Sequence, residues 1–249
     1  MSMTVNIWTD INCPFCYLGK QRFLDALADF DHRDDVTVVH RSFELDPTLA
    51  HDTTGSVEQY LASKYGISTE QARANEERLG AQATEMGLPY QTRDRDFGNS
   101  FDMHRLLQYA RTIGKQEALV DALYAANFAA PQPLFGDRER LLDVAVEAGL
   151  DRTEVTRILD DPTAYADDVR RDEREAAELG ATGVPFFVID DTYAVSGAQS
   201  PETFGRALAT AWADRPPLVD LTTDAPNADA GTPDSRAACA PDGCALPMT

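Results

Sequence analysis

Residues 11–19 read INCPFCYLG, and the two thiols in that stretch are where this sequence can do chemistry. Cys13 and Cys16 stand three apart. On a helix they share a face about one turn apart, within the Cα separation that a disulfide allows. Four cysteines in 249 residues do not make a secreted disulfide scaffold. In a reducing compartment a close pair is catalytic, redox-sensing or metal-binding. As a redox pair, CPFC would carry out thiol–disulfide exchange. A helix start leaves backbone N–H groups unpaired and carries a partial positive charge. That environment favours the thiolate, which is the attacking form. Cys13 is expected at the exposed helix end as the nucleophile, with Cys16 as the more buried resolving thiol. Pro14 is tolerated in a first helical turn. Phe15, between the cysteines, is expected to tune the redox potential, and unlike histidine it adds no positive neighbour.

The elements around the pair support this placement. Residues 4–10 alternate apolar and polar and run into a turn at Asn12, which predicts a strand. Leu18, Phe23, Leu24, Leu27 and Phe30 recur at helical spacing, and residues 36–43 predict a second strand. The first 45 residues therefore read as a βαβ unit with CPFC at the first strand-to-helix junction. Helical patterns follow at 56–65, 69–86, 100–112, 115–129, 137–147, 151–159 and 164–179, several of them ending at glycine. Residues 183–189 (GVPFFVI) return to strand character. Asp190-Asp191 predicts a hairpin turn, residues 192–196 a partner strand, and 202–212 a last helix opened by Pro201. Trp8 and Trp212 read as core. Beyond Ala213 the chain is rich in Pro, Ala, Asp and Thr with little periodicity, which predicts an irregular tail. That tail contains the remaining cysteines, Cys239 and Cys244, in CAPDGC.

CPFC and Val184-Pro185 together resemble the thioredoxin fold, and with the helical block inserted the chain is similar to the DsbA family. Within that family CPFCYLG, SFELDP, NSFDMHRL, GVPFFV and the terminal Cys-x4-Cys most resemble the cytoplasmic FrnE-like proteins. The resemblance implies an α/β, thioredoxin-like fold (βαβ plus ββα) with an all-helical insertion and an irregular tail. The domains would be residues 1–45 with 181–212, the insertion 46–180, and the tail 213–249. It also implies that Val184-Pro185 is cis and packs against CPFC. Pro at the start of a strand is tolerated because its missing N–H is not needed there. Val184 would then offer its N–H and C=O to an extended substrate. Pro14, Phe15, Val184 and Pro185 form the expected substrate-binding surface. The implied function is a protein thiol–disulfide oxidoreductase or isomerase. Its partners would be protein or peptide disulfides and a small thiol or thioredoxin-like electron partner, with no cofactor and no metal.

Other readings remain open at this point. CPFC with Cys239 and Cys244 could form a zinc site, although structural zinc uses close cysteine pairs within one small knuckle. The topology is shared with kappa-class glutathione transferases and 2-hydroxychromene-2-carboxylate isomerases, in which serine takes the attacking position. A holdase chaperone is the non-enzymatic alternative. The tail pair reads as a second redox pair exchanging with Cys13, a regulatory disulfide, a metal ligand pair or incidental thiols. Asp10 ends the strand or serves as a buried proton acceptor, and His104 reads as a packed or surface histidine. The net charge of −20 argues against nucleic acid and anionic membrane surfaces as partners. No stretch approaches the roughly 20 apolar residues of a membrane span, and no signal-like segment opens the sequence. A cytoplasmic location is expected. With only three lysines, Lys20, Lys64 and Lys115, the surface reads as ordinary solvated protein or as salt-adapted.

Overall fold

The computed structural model describes residues 2–215. Strand β1 (Met3–Thr9) leads through a four-residue turn into α1 (Pro14–Ala28), and β2 (Val36–Ser42) follows. Pro14 occupies the first helical turn of α1, where its lack of an N–H is harmless. β1 and β2 run parallel, with Met3 opposite Val36 and Thr9 opposite Ser42. At the far end of the chain, β5 (Phe186–Ile189) and β6 (Tyr193–Ser196) form a hairpin, and α9 (Pro201–Ala213) closes the series. The hairpin turns at Asp190 and Asp191, both at positive φ, a conformation that Asp tolerates better than most residues. β5 pairs antiparallel with β1, giving one four-stranded sheet of order β2-β1-β5-β6.

Between the halves lie β3 (Thr54–Ser56), α2 (Val57–Tyr65), α3 (Thr69–Glu85), β4 (Asp96–Gly98), α4 (Phe101–Thr112), α5 (Gln116–Tyr124), α6 (Arg138–Glu147), α7 (Arg152–Asp160) and α8 (Ala166–Glu178). Ser68 and Gln71 form a capping box at the start of α3, each satisfying one of the other's unpaired backbone donors. The insertion is not purely helical. β3 and β4 pair antiparallel over three residues each, too few to leave an alternation signal in sequence. Gly98 is required there: a Cβ would come within 2.5 Å of the Thr53 carbonyl and 2.7 Å of Phe135 Cβ. α5 also runs on into a π turn at Ala125–Ala129.

The two faces of the sheet bury different partners. Met3, Val5, Ile7, Phe187 and Ile189 pack with Phe23 of α1 and Phe204 and Leu208 of α9. Trp8, Phe186 and Val188 pack on the other face with Ala176 of α8. A third core joins the helices of the insertion to Ile11, Cys13 and Cys16. Trp8 is fully buried, whereas Trp212, expected in the core, is half-buried and stacks on the His32 ring with centroids 4.0 Å apart.

Asp172 of α8 ties the insertion to the sheet. Its carboxylate accepts hydrogen bonds from the Ser42 N–H (3.0 Å), Gln108 Nε2 (2.6 Å) and Arg41 Nη1 (3.1 Å), and its backbone carbonyl accepts from Trp8 Nε1 at 2.8 Å. The side chain is fully buried. Lys20, also buried, pins α1 to α5 through Glu117 and Asp121, both at 2.6 Å. Removing one member of such a buried set strands the others without solvent. Asp172→Ala should therefore cost about 3–5 kcal/mol of stability, read as a lowered urea midpoint at unchanged slope; a loss under about 1 kcal/mol, the range of exposed ion pairs, would show that the network carries little.

Candidate active site

The loop between β1 and α1 is held by hydrogen bonds from several directions. The Cys13 N–H donates to the Asp10 carbonyl at 3.1 Å. Asn127 donates from its side-chain amide to the Ile11 carbonyl (2.7 Å), and Asn12 donates to the Gly98 carbonyl (2.8 Å). Cys13 is the N-cap residue of α1, with extended backbone, and its carbonyl accepts from the Cys16 and Tyr17 N–H groups at 3.0 and 3.3 Å. Cys13 and Cys16 are both free thiols.

The Val184-Pro185 bond is cis. The Cys13 Sγ donates to the Val184 carbonyl at 3.5 Å, bridging 171 residues of sequence. That carbonyl is therefore engaged within the protein rather than free, and the Val184 N–H is the group without a hydrogen-bond partner among the described residues. Gly19, the last residue of CPFCYLG, lets α1 approach this loop. A Cβ on Gly19 would stand 2.9 Å from Pro185 Cγ.

One expectation needs correcting. Cys13 is not an exposed thiol: it is 3% accessible, against 1% for Cys16. It lies on the floor of a cavity of about 610 Å³ whose opposite wall comes from α2 and α3 of the insertion. Phe15 stands at the rim, 51% exposed, with Leu45 and Tyr65. Pro14 is half-buried and Pro185 is buried. The structure thus brings Cys13, Cys16, Pro14, Phe15, Val184 and Pro185 together. Cys239 and Cys244 lie outside the described residues. Lys64 and Arg78 also line the cavity. They stand more than 45 residues from CPFC, and their helices carry no local signal of what they face.

Burial pushes the Cys16 thiol well up, and the neighbouring Cys13 pushes it further. Beside the pair, Tyr124 and Thr9, both buried, share a short hydrogen bond between their hydroxyls. Beneath the loop, two segments singled out in the sequence meet. Leu45 of SFELDP donates its N–H to Asp10 Oδ2 at 2.8 Å, and His104 of NSFDMHRL places Nε2 3.4 Å from Asp10 Oδ1. Asp10 and His104 are both buried. Burial raises the Asp10 carboxyl, but His104 and the Leu45 and Ser100 donors more than reverse this and leave it lowered. Burial lowers the His104 imidazole, and Asp10, with Glu44 and Glu173 behind it, leaves it raised.

A strand running into CxxC at a helix start, faced by a cis-proline loop on a β2-β1-β5-β6 sheet, defines a thioredoxin-fold protein with a helical insertion. The model of the DSBA-like thioredoxin domain matches residues 4–209, and the chain belongs to that family. It is similar to the crystal structure of a probable DsbA oxidoreductase from Streptomyces coelicolor, with 56% identity and a TM-score of 0.85 over 99% of this chain and 100% of the other. The Bacillus subtilis (strain 168) protein YwbO is 26% identical over 212 residues, covering 84% of this chain and 97% of its own. A 2-hydroxychromene-2-carboxylate isomerase structure shares the fold at 19% identity and a TM-score of 0.61, over 83% of this chain and 95% of that one. Among the described residues no helix is long and apolar enough to cross a membrane.

The Asp10–His104 pair makes a pH prediction. His104, raised above its ordinary 6.5, contributes stability that is fully present below that value and is lost as pH rises through its folded value. Asp10, lowered below 3.8, contributes stability present above 3.8 and lost as pH falls through its folded value. NMR titration of the imidazole should place His104 above 6.5 in the native protein, and Asp10→Asn should move it down, because burial then acts with less opposition. An unmoved titration would show that Asp10 does not hold the proton.

Proposed function

We propose that this protein is a cytoplasmic thiol–disulfide oxidoreductase that uses Cys13 as nucleophile and Cys16 as resolving thiol. The observation that carries the reading is the placement of Cys13, at the N-cap of α1 with its sulfur against Val184 and open to the cavity. Membership of the DSBA-like family and the 56% identity to a probable DsbA oxidoreductase support it.

In this reading the Cys13 thiolate attacks one sulfur of a substrate disulfide. A Cys13–substrate S–S bond forms, and the other substrate sulfur leaves as thiolate with the bonding electron pair. The raised Cys16 thiol stays protonated in the resting protein. Once the Cys13 sulfur is in the mixed disulfide, its contribution to that shift disappears, while burial, the larger cause, remains. The first substrate thiolate takes the Cys16 proton, the Cys16 thiolate attacks the Cys13 sulfur, and the second substrate thiolate departs. The substrate disulfide is reduced by two electrons and the protein dithiol is oxidised. Run in reverse, the same steps oxidise a substrate dithiol, and isomerisation combines the two, with direction set by relative potential. Protein or peptide disulfides are the substrates in this reading. In this reading the Val184 N–H would dock an extended segment beside Cys13, with Pro14 and Phe15 as the surrounding surface and the buried Pro185 shaping the loop behind them.

The test is insulin disulfide reduction with single-cysteine variants. Cys13→Ser should fall to the uncatalysed background, and Cys16→Ser should accumulate client mixed disulfides on non-reducing gels. Adducts with Cys13→Ser instead would reverse the two roles, and full activity in both variants would remove the dithiol from the reaction.

A further inference from the structure

Two hydroxyls lie behind the thiol pair, where the core is otherwise apolar. Side chains alternate along β1, so Thr9 faces the same side as Met3, Val5 and Ile7, the side that Phe23 of α1 covers. Tyr124 reaches the same point from the insertion. It is the last residue of α5 and stands directly before the π turn at Ala125–Ala129, an irregularity that recurs at functional sites. Asn127 in that turn holds the Ile11 carbonyl, so one short segment grips the approach to the cysteines at both Thr9 and Ile11. Thr9, Tyr124 and Cys16 are 2%, 1% and 1% accessible, and their polar atoms must find partners inside the protein.

The hydrogen bonds there have a direction. The Tyr124 hydroxyl bonds to Thr9 Oγ1 and to no other group among the described residues. Burial pushes the phenol well up, so it keeps its proton, and a phenol is a better donor than an alcohol. Tyr124 therefore donates to Thr9. That leaves the Thr9 proton for its other neighbour, the Cys16 sulfur, to which the Thr9 hydroxyl and the Asp10 N–H both bond. These two donors pull the Cys16 thiol back down against its burial. Donors in a chain polarise one another, and a bond to an ionised acceptor is stronger than one to a neutral acceptor. The chain is thus worth more to a Cys16 thiolate than to the thiol. The Asp10 carboxylate is turned elsewhere: it accepts from the Asn12 and Leu45 N–H groups and faces His104.

We propose that Thr9 is a catalytic residue of the resolving step, donating its hydroxyl hydrogen bond to the Cys16 sulfur as that sulfur attacks Cys13, and that Tyr124 is the positioning residue that aims it. The inference rests on the exchange chemistry proposed above and assigns two further residues to it. The Cys16 proton goes to the thiolate released in the first exchange. The Cys16 thiolate, held by the Thr9 hydroxyl and the Asp10 N–H, attacks Cys13 Sγ. The Cys13–Cys16 bond forms as the Cys13–substrate bond breaks, and the electron pair of that bond leaves with the second substrate thiolate. Thr9 and Tyr124 neither gain nor lose a proton. The earlier attack by Cys13 on the substrate makes no use of the pair.

The test separates the two steps. The reduced full chain is mixed with dithiodipyridine, a neutral disulfide, and quenched in acid after short intervals. The peptide holding Cys13 and Cys16 is then scored by mass as dithiol, Cys13 adduct or disulfide. Attack speeds up with probe concentration and resolution does not, so a concentration series yields both rates. Thr9→Val keeps the shape and removes the hydroxyl; it should lower the ratio of resolution to attack by about tenfold or more. Thr9→Ser should restore that ratio. Tyr124→Phe keeps the ring and should lower it by about threefold. The ratio is taken within one protein, so a general loss of reactivity cancels. An unchanged ratio in Thr9→Val, or a ratio in Thr9→Ser as low as in Thr9→Val, leaves the hydroxyl a packing role only and overturns the inference. Should Thr9→Val fail to fold, Tyr124→Phe decides, and a native ratio there overturns the donor chain. If the native chain forms neither the Cys13 adduct nor the disulfide, the exchange reading itself falls.

Discussion

Trp8 lies opposite Phe186 and Val5 opposite Ile189, and the site depends on that antiparallel register between β1 and β5. Because side chains alternate along a strand, a slip of one residue would turn every buried side chain of β5 to the wrong face. In the observed register, β1 ends where β5 begins. The turn carrying Asp10 to Cys13 therefore emerges beside Val184-Pro185, and the Cys13 sulfur meets the Val184 carbonyl. Gly19 permits the same closeness from the helix side, where a methyl group would strike Pro185. The chemistry is thus placed by strand pairing and only then adjusted by side chains.

The helical insertion is part of the site and not a cover added to it. Cys13 and Cys16 belong to the same apolar cluster as Leu106, Leu119 and Tyr124 of α4 and α5, so the surroundings of the thiols come from the insertion as much as from the sheet. Polar contacts fasten the two parts. Asp172 reaches β2 and α4, Lys20 reaches α5, and Asn127 holds the loop just before Cys13. Each is a buried group whose partners lie far away in sequence, which makes the arrangement specific: sliding the insertion along the sheet would leave charges and amides unpaired in the interior.

These facts explain what could be read from the chain. The strand–CPFC–helix junction and the Gly-Val-Pro strand show in sequence because their signals are local: alternation, helical spacing, a proline in a first turn, a proline at a strand start. The helices of the insertion show for the same reason. The burial of Cys13 does not, since it comes from packing against α4, α5 and the Val184 loop, all far along the chain. Nor does the pairing of Asp10 with His104, which unites residues 94 apart. SFELDP and NSFDMHRL stand out as segments, but their meaning lies in where they meet, and spacing along the chain does not encode that. β3 and β4 are too short for any periodicity to mark them.

The long path between the two strands of the site also bears on how the molecule is built. Thr4 and Asp190, joined where the hairpin meets β1, are 186 residues apart. During synthesis β1 emerges first and can find β2 within a few tens of residues, but its other edge stays open until nearly all of the described chain has been made. Contacts of such long sequence separation form late because their loop-closure entropy comes due before they give anything back. Throughout that interval the chain holds an unpaired apolar strand edge with two reduced cysteines at its end. On this topology neither the sheet nor the reactive centre is complete until the last hairpin is in place.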